Sequence, residues 1–284
     1  MTNVIQYQSS SADTARGPSP SIWGDCPWLE IQGQVAQGRG GYAFFDDFLI
    51  GGITPTITTA ISMASGDVGY AAFGSSGATI TYDDVAGGAI VLTEATANES
   101  VTLYTEQHPF SITANAGKFW AEARVKVGDI VTLANSFLWG LMDTTDVTAV
   151  VPLTADGVTA DINYVGFMQP EGDTTTYNAS YKADGGSITE VEVNGAVGAL
   201  VADTYVKLGM KFDPSSAMTG TANQMRFFID GVPLATDKTI PDNTGTDFPA
   251  DIRMGPVISM AVGAGTATDT LTMDWWRYAQ LEAQ

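Results

Sequence analysis

Two side chains bound the nucleophilic and metal chemistry open to this chain. Cys26 is the single cysteine and His108 the single histidine among 284 residues. A Ser-His-Asp or Cys-His arrangement must therefore use His108. It sits in Thr105-Glu106-Gln107-His108-Pro109, a loop preceding a strand, and is read as structural. One cysteine and one histidine cannot build a zinc site, and no intrachain disulfide is available. No phosphate-cradling Gly-Lys-Ser/Thr loop is present. Among the acids, Glu190 and Glu192 share one face of a strand, but Thr189-Glu190-Val191-Glu192-Val193 is ordinary alternation with valine toward a core. Asp46-Asp47, Asp83-Asp84 and Asp143-Thr144-Thr145-Asp146 carry the oxygens that Ca²⁺ takes. Without EF-hand spacing they are read as turn residues, so neither a metal nor a cofactor is expected. Trp120, Trp139, Trp275, Trp276 and Tyr278 have rings that can stack on sugars. Trp120 and Trp276 are expected to be exposed, because their same-face neighbours are polar.

Charge narrows the partners. Twelve Lys and Arg stand against 32 Asp and Glu, a net charge of −20. Such a chain repels nucleic acid and anionic membrane surfaces, so neither is an expected partner. The N-terminus lacks the basic and apolar regions of a secretory signal, and the most apolar stretch, residues 44–64, is broken by Asp46, Asp47 and Pro55. A soluble protein made in the cytoplasm is expected.

The elements that must position any site are strands. Charged residues are only 15% of the chain, and β-branched residues run throughout. The segment 118–127 alternates cleanly, with Phe119, Ala121, Ala123, Val125 and Val127 on one face and Trp120, Glu122, Arg124 and Lys126 on the other. This predicts a half-buried antiparallel strand. The segment 136–142 is apolar on both faces and should be central. Residues 224–236 read as a hairpin around Asp230-Gly231, because that pair supplies the positive φ angles of a tight turn. Its first strand, with Phe227 and Phe228 on opposite faces, is also expected to be central. Further strands are expected at 87–93, 100–104, 163–168, 177–182, 189–193, 205–212, 252–260 and 270–280, with extended chain at 53–63 and short helix only in loops, near 215–219. About a dozen strands at this spacing give an all-β, two-sheet antiparallel sandwich.

Residues 1–41 differ. Gly17-Pro18-Ser19-Pro20 and Gly38-Arg39-Gly40-Gly41 are linker chemistry, yet Ile22, Trp23, Trp28, Leu29 and Ile31 lie among them. The segment is expected to be an extended arm that packs on its own domain, a neighbouring copy or another protein. Trp23, Trp28, Leu29 and Ile31 are its candidate partner-binding residues. Residues 42–284 form the compact domain.

Four stretches, in order, resemble the concanavalin A-like jelly roll of legume-type lectins, laminin G-like domains and bacterial β-glucanases. Gly117 to Lys126 resembles the glucanase strand with "E-A-R-x-K". Phe137-Leu138-Trp139-Gly140-Leu141 is similar to the Trp strand after it, Phe227-Phe228-Ile229-Asp230-Gly231 to "F-x-V-D-G", and Thr272 to Tyr278 to the terminal "D-Y-V-R-V" strand. The resemblance implies that the last strand returns beside the first. Glucanases of this type carry "E-x-D-x-x-E" after the Trp strand, and retaining hydrolysis needs two carboxylates about 5–5.5 Å apart. The matching stretch here, Asp161-Ile162-Asn163-Tyr164-Val165-Gly166-Phe167-Met168, has one acid at its edge.

The combination of a jelly roll without that acid pair, a Trp-bearing arm and an acidic, Gly/Ala/Thr-rich composition is similar to tailed-bacteriophage virion proteins, above all head decoration or cement proteins. It implies a non-enzymatic structural protein on the capsid surface, made in the host cytoplasm. The implied partner is the major capsid protein or another virion protein, bound by a homo-oligomer such as a trimer. The alternative is a glycan-binding, lectin-like module on a virion or cell surface, stacking sugars on Trp120 and Trp276.

Overall fold

The computed structural model describes residues 16–27, 31, 40–48, 61–65, 68–74, 77–83, 88–113, 116–128, 135–143, 153–154, 157–158, 162–169, 178–186, 189–191, 201–214, 224–234, 248–250, 252–263 and 268–282. Among the described residues, a short helix, α1 (Pro20–Trp23), lies in the arm. The strands in chain order are β1 (Gly41–Asp46), β2 (Ile61–Ser65), β3 (Val68–Gly74), β4 (Thr79–Tyr82), β5 (Ile90–Glu94), β6 (Glu99–Thr105), β7 (Phe110–Ser111), β8 (Phe119–Val127), β9 (Asn135–Met142), β10 (Leu153–Thr154), β11 (Gly157–Val158), β12 (Tyr164–Gln169), β13 (Asn178–Lys182), β14 (Thr189–Val191), β15 (Val206–Asp213), β16 (Gln224–Ile229), β17 (Val232–Pro233), β18 (Arg253–Val262) and β19 (Asp269–Leu281).

Among the described residues, β10 and β11 pair with each other as a two-stranded ribbon, and the other strands form two large antiparallel sheets. Sheet A runs β17-β16-β15-β8-β19-β5-β4, with β1 also on β19. Sheet B runs β14-β13-β12-β9-β18-β6-β3-β2, with β7 also on β18. Their inner faces enclose one large apolar cluster, which includes Phe119, Trp139, Phe167, Phe212, Phe227, Trp276 and Tyr278. The all-β, two-sheet antiparallel sandwich is as the strand spacing requires, and the jelly roll is as the resemblance implies. β8 sends Phe119, Ala121, Ala123 and Val125 into this core, and β9 is central, between β12 and β18. The last strand does return beside the first: β1 pairs with β19 from Gly41↔Leu281 to Asp46↔Trp276. β3, β4, β7, β10 and β11 were not anticipated. The expected helix near 215–219 and most of the segment 53–60 lie outside the described residues.

The hairpin turns on Asp230 and Gly231, both at positive φ (48° and 75°). Met225, Phe227 and Ile229 face the core, as their spacing demands. β16 is not central, however. Among the described residues only the two-residue β17 lies beyond it, and Phe228 on its other face is buried by different means, described below.

A second departure is in β19. Its register against β8 shifts between Met273 and Trp275, so one extra residue sits in the strand. Such a bulge moves everything after it to the opposite face. Trp276, expected outside, is therefore turned inward and is fully buried, while Asp274 and Trp275 turn outward. Trp276 stacks on Tyr70 at 5.9 Å and meets Phe44 and Tyr278 edge-on. Its Nε1 donates to Tyr70 Oη, which donates in turn to Asp46. Trp276→Ala should cost about 3–5 kcal/mol, the range for removing a packed aromatic core residue. Urea unfolding measures this. A loss below about 1 kcal/mol would contradict the burial of this ring.

Candidate functional site

The outer face of sheet A concentrates the chain's positive charge. Lys118, Arg124, Lys126, Lys207, Lys211, Arg226 and Arg277 alternate with the core residues of β8, β15, β16 and β19 and so share that face. They are seven of the twelve Lys and Arg in the sequence. Register makes this costly. Lys207 is directly opposite Arg124, and Lys211 directly opposite Arg226. Like charges paired across strands destabilise a sheet. Acids within the face, among them Glu122, Asp274 and Asp213, which pairs with Lys118 at 2.6 Å, and one brought to it, Asp25, offset this.

Asp25 arrives on the arm, which lies across the face. Arg16 grips Asp274 through Nε and Nη2 (3.0 and 2.5 Å), and Arg124 holds the same carboxylate at 2.5 Å. The β19 bulge is what aims Asp274 and Trp275 at the arm. Trp275 Nε1 donates to the Arg16 carbonyl at 2.8 Å. Lys207 donates to the Gly17 carbonyl, and Ser21 Oγ to the Gly231 carbonyl. Ser19-Pro20 opens α1, with proline in the first turn where its missing N–H is no loss. The helix points Ile22 into the space a Cβ would fill at Gly209, and Ile22 is fully buried. Beyond it, Asp25 accepts from Trp120 Nε1 at 3.0 Å and from Lys211 at 2.7 Å.

Glu122 is the centre of this contact. It is fully buried, and its Oε2 accepts the Ser19 backbone N–H at 2.9 Å and Trp23 Nε1–H at 2.8 Å. Its Oε1 has no hydrogen-bond partner among the described residues. Burial raises the Glu122 pKa above the usual carboxylate range, against the opposing pull of the Ser19 and Trp23 bonds and of Lys207. For Asp25, burial alone pushes the carboxyl up, but the bonds from Lys211 and Trp120 prevail and hold it below its ordinary value. Burial and the neighbouring Asp25 push the Cys26 thiol up to about 12, so the one thiol is a poor nucleophile.

Magnitudes show what holds the arm. Burying Ile22 contributes about 1.5–3 kcal/mol. Asp274 is 2% exposed and pairs with both Arg16 and Arg124, so lifting the arm leaves it one partner and costs less than the about 3–5 kcal/mol of a buried charge left wholly unpaired. By contrast the arm's surface pair, Asp25 with Lys211, has Asp25 46% exposed and is worth at most about 1 kcal/mol. The apolar plug and the buried polar bonds, rather than surface pairing, fix the arm.

The structure thus brings together residues that the sequence placed in separate hypotheses. Trp23 lies half-buried against Glu122, and Ile31 is buried in one cluster with Ile22, Trp120, Phe228 and Ala279. Trp28 and Leu29 lie outside the described residues. Trp120 is not exposed: the arm covers it completely, as it covers Phe228, and a sugar cannot stack there. The strand expected to be half-buried is buried through Ala123 on both faces for the same reason. Glu122, Asp274, Ile22 and Gly209 were missed as site residues. The available signal was an acid, Glu122, on an otherwise Trp- and cation-bearing strand face, matched by an arm carrying Asp25.

On sheet B, β12 follows the Trp139 strand. Its outer-face residues are Tyr164, Gly166 and Met168, all buried, with Tyr164 Oη donating to Ser180. A carboxylate pair for retaining hydrolysis is not found at these positions. Glu190 lies in β14, and Glu192 and Asp161 lie outside the described residues. His108 is half-buried, and burial lowers its pKa while Asp143 partly opposes this.

No protein-family model matches the chain, and no curated protein matches it in sequence. Solved structures do match. A glycoside hydrolase family 16 endo-glucanase from Bacteroides ovatus, in complex with G4G3G-2F-DNP, is 13% identical with a TM-score of 0.53, over 83% of this chain and 99% of that one. A protein of unknown function, SO2946 from Shewanella oneidensis MR-1, is 13% identical with a TM-score of 0.52, over 90% and 94%. An endo-1,3-beta-glucanase from Streptomyces sioyaensis is 14% identical at 0.49, over 87% and 99%. The two likenesses with TM-scores above 0.5 show the fold, the concanavalin A-like jelly roll of the endo-glucanase. They also overturn the expectation that the chain is not an enzyme, since its fold neighbours include glycoside hydrolases.

The raised Glu122 pKa has a defined consequence. Between the unfolded value near 4.5 and the raised folded value, the folded state binds more protons than the unfolded one, so stability falls as pH rises through that window. Glu122→Gln keeps an oxygen acceptor for Ser19 and Trp23 but carries no charge to bury. Urea unfolding should show the Gln variant gaining on the wild type as pH rises from 4 to 7. A gap that stays constant with pH would contradict the burial of an ionisable Glu122.

Proposed function

We propose that the chain is a structural protein of a tailed-bacteriophage virion. It attaches to the outside of the head through the major capsid protein or another virion protein, as a homo-oligomer, after synthesis in the host cytoplasm. One observation carries this reading: the segregation of charge. Seven of twelve cations lie on one sheet face, and the chain's own arm occupies that face with Glu122, Asp274 and Asp25 as counter-charges. With that face covered, a net charge of −20 is presented largely by the remaining surface. Copies then repel one another in solution and bind where a complementary lattice repeats. Weak single contacts suffice, because several sites on one oligomer multiply.

A second reading, carbohydrate recognition, is favoured by one fact: the sandwich is shared with an endo-glucanase solved in complex with G4G3G-2F-DNP. With Trp120 and Trp276 buried, stacking would fall to the exposed aromatics Tyr42 and Phe45 of β1, which are 42% and 39% exposed.

Purified protein should co-sediment with expanded heads that lack it and raise their melting temperature. The binding should weaken at least tenfold between 50 and 500 mM salt, as screening requires. Absence of co-sedimentation at low salt sinks the head reading. If glycan-array binding that is lost in Phe45→Ala accompanies that failure, the second reading replaces it.

A further inference from the structure

We infer that the outer face of sheet A is a peptide-docking groove, and that it accepts the arm segment 16–27 from a second copy of this chain as well as from its own. The inference does not depend on the head reading.

The groove has the parts of a ligand site. It has a floor notch at Gly209, which admits the Ile22 side chain only because no Cβ is there. It has a buried acceptor, Glu122, set to receive one backbone N–H and one indole N–H. It has charge at both ends in complementary order. Asp274 takes Arg16 at one end of the segment, and Lys211 takes Asp25 at the other. Trp275 and Lys207 bind main-chain carbonyls between them.

None of these contacts depends on the covalent link. The bonding partners are separated by 95 to 259 residues in sequence. A copy whose own arm is displaced offers Trp120, Phe228, Glu122 and a row of like charges to solvent, and the arm of a neighbour restores every contact. Exchange of an identical element in this way is a low-cost route between protomers. What favours the chain's own arm is its tether, which acts as an effective concentration on the order of millimolar, together with Ile31, buried in the same cluster. Exchange is therefore scarce in dilute solution and prevails where copies are held side by side at comparable density.

The test uses full-length chains and a fluorescein-labelled peptide of residues 16–27. In Ile22→Asp the chain's own arm cannot fill the Gly209 notch. Fluorescence anisotropy should show this host binding one peptide per chain, at least tenfold more tightly than the wild type does. Binding should be lost when the peptide itself carries Ile22→Asp. A host carrying Asp25→Lys, which sets its own arm against Lys211, should behave alike. A folded host of either kind that shows no saturable binding overturns the inference. So does the wild-type chain, which needs no substitution to fold, if it fails to bind the peptide at millimolar concentration.

Discussion

A carboxylate with no exposure to water lies in the middle of a sheet face crowded with cations. Glu122 has Arg124 and Trp120 beside it on β8 and is directly opposite Gly209 and Arg277 on the flanking strands. Left open, such a face would be wetted and mutually repulsive. Covered, it must give each buried polar atom a partner. The arm resolves this for Oε2 with a backbone N–H and an indole N–H, and the remaining oxygen keeps Glu122 inclined to hold a proton. Most features of this side of the molecule follow from that requirement. Glycine is needed at 209 so that Ile22 can seal the site. A bulge is needed in β19 so that Asp274 and Trp275 can hold the start of the arm. The arm is therefore the outer layer of sheet A rather than an appendage.

The opposite side of the sandwich obeys a simpler rule. The inner faces of both sheets are apolar and close-packed, and the outer face of sheet B carries a second apolar cluster beside buried, hydrogen-bonded polar residues such as Thr102, Ser180 and Ser259. Tyr104, Leu138, Met142, Tyr164, Met168 and Val257 form that cluster, joined by Leu153 of the β10–β11 hairpin. Gly140 and Gly166 are directly opposite one another on β9 and β12, and a Cβ on either would run into the other strand's backbone. The central strands of sheet B can approach this closely only because both positions are glycine.

Much of this was legible in the sequence, and the failures share one cause. Strict alternation in β8 and the Asp230-Gly231 turn identified strands, faces and register, because a period of two and a positive-φ turn are local properties. The pairing of β1 with β19 followed from the resemblance. Trp276 was misplaced because a single-residue bulge is invisible to periodicity yet inverts every later side chain. Trp120 and Glu122 were taken as facing solvent because nothing local says that a segment about 100 residues away in the chain will lie over them. The same non-locality hid the site. Trp23 and Ile31 were singled out as residues seeking a partner, and they find it in the chain's own sheet. The fold comparisons correct a further inference. The β12 positions lack an acid pair, but that fact belongs to one strand and does not decide whether the chain has catalytic activity.

The central claim is that the arm is seated on sheet A through Ile22 and Glu122. Trypsin cleavage after Arg16 reports it directly, because that bond lies within the seated segment and is open to the protease only when the segment lifts. Cleavage should be slow in the wild type. In Ile22→Ala the loss of about 2 kcal/mol or more of packing should speed it by at least about thirtyfold, with the sandwich intact. Equal cleavage rates in the two chains would contradict the account.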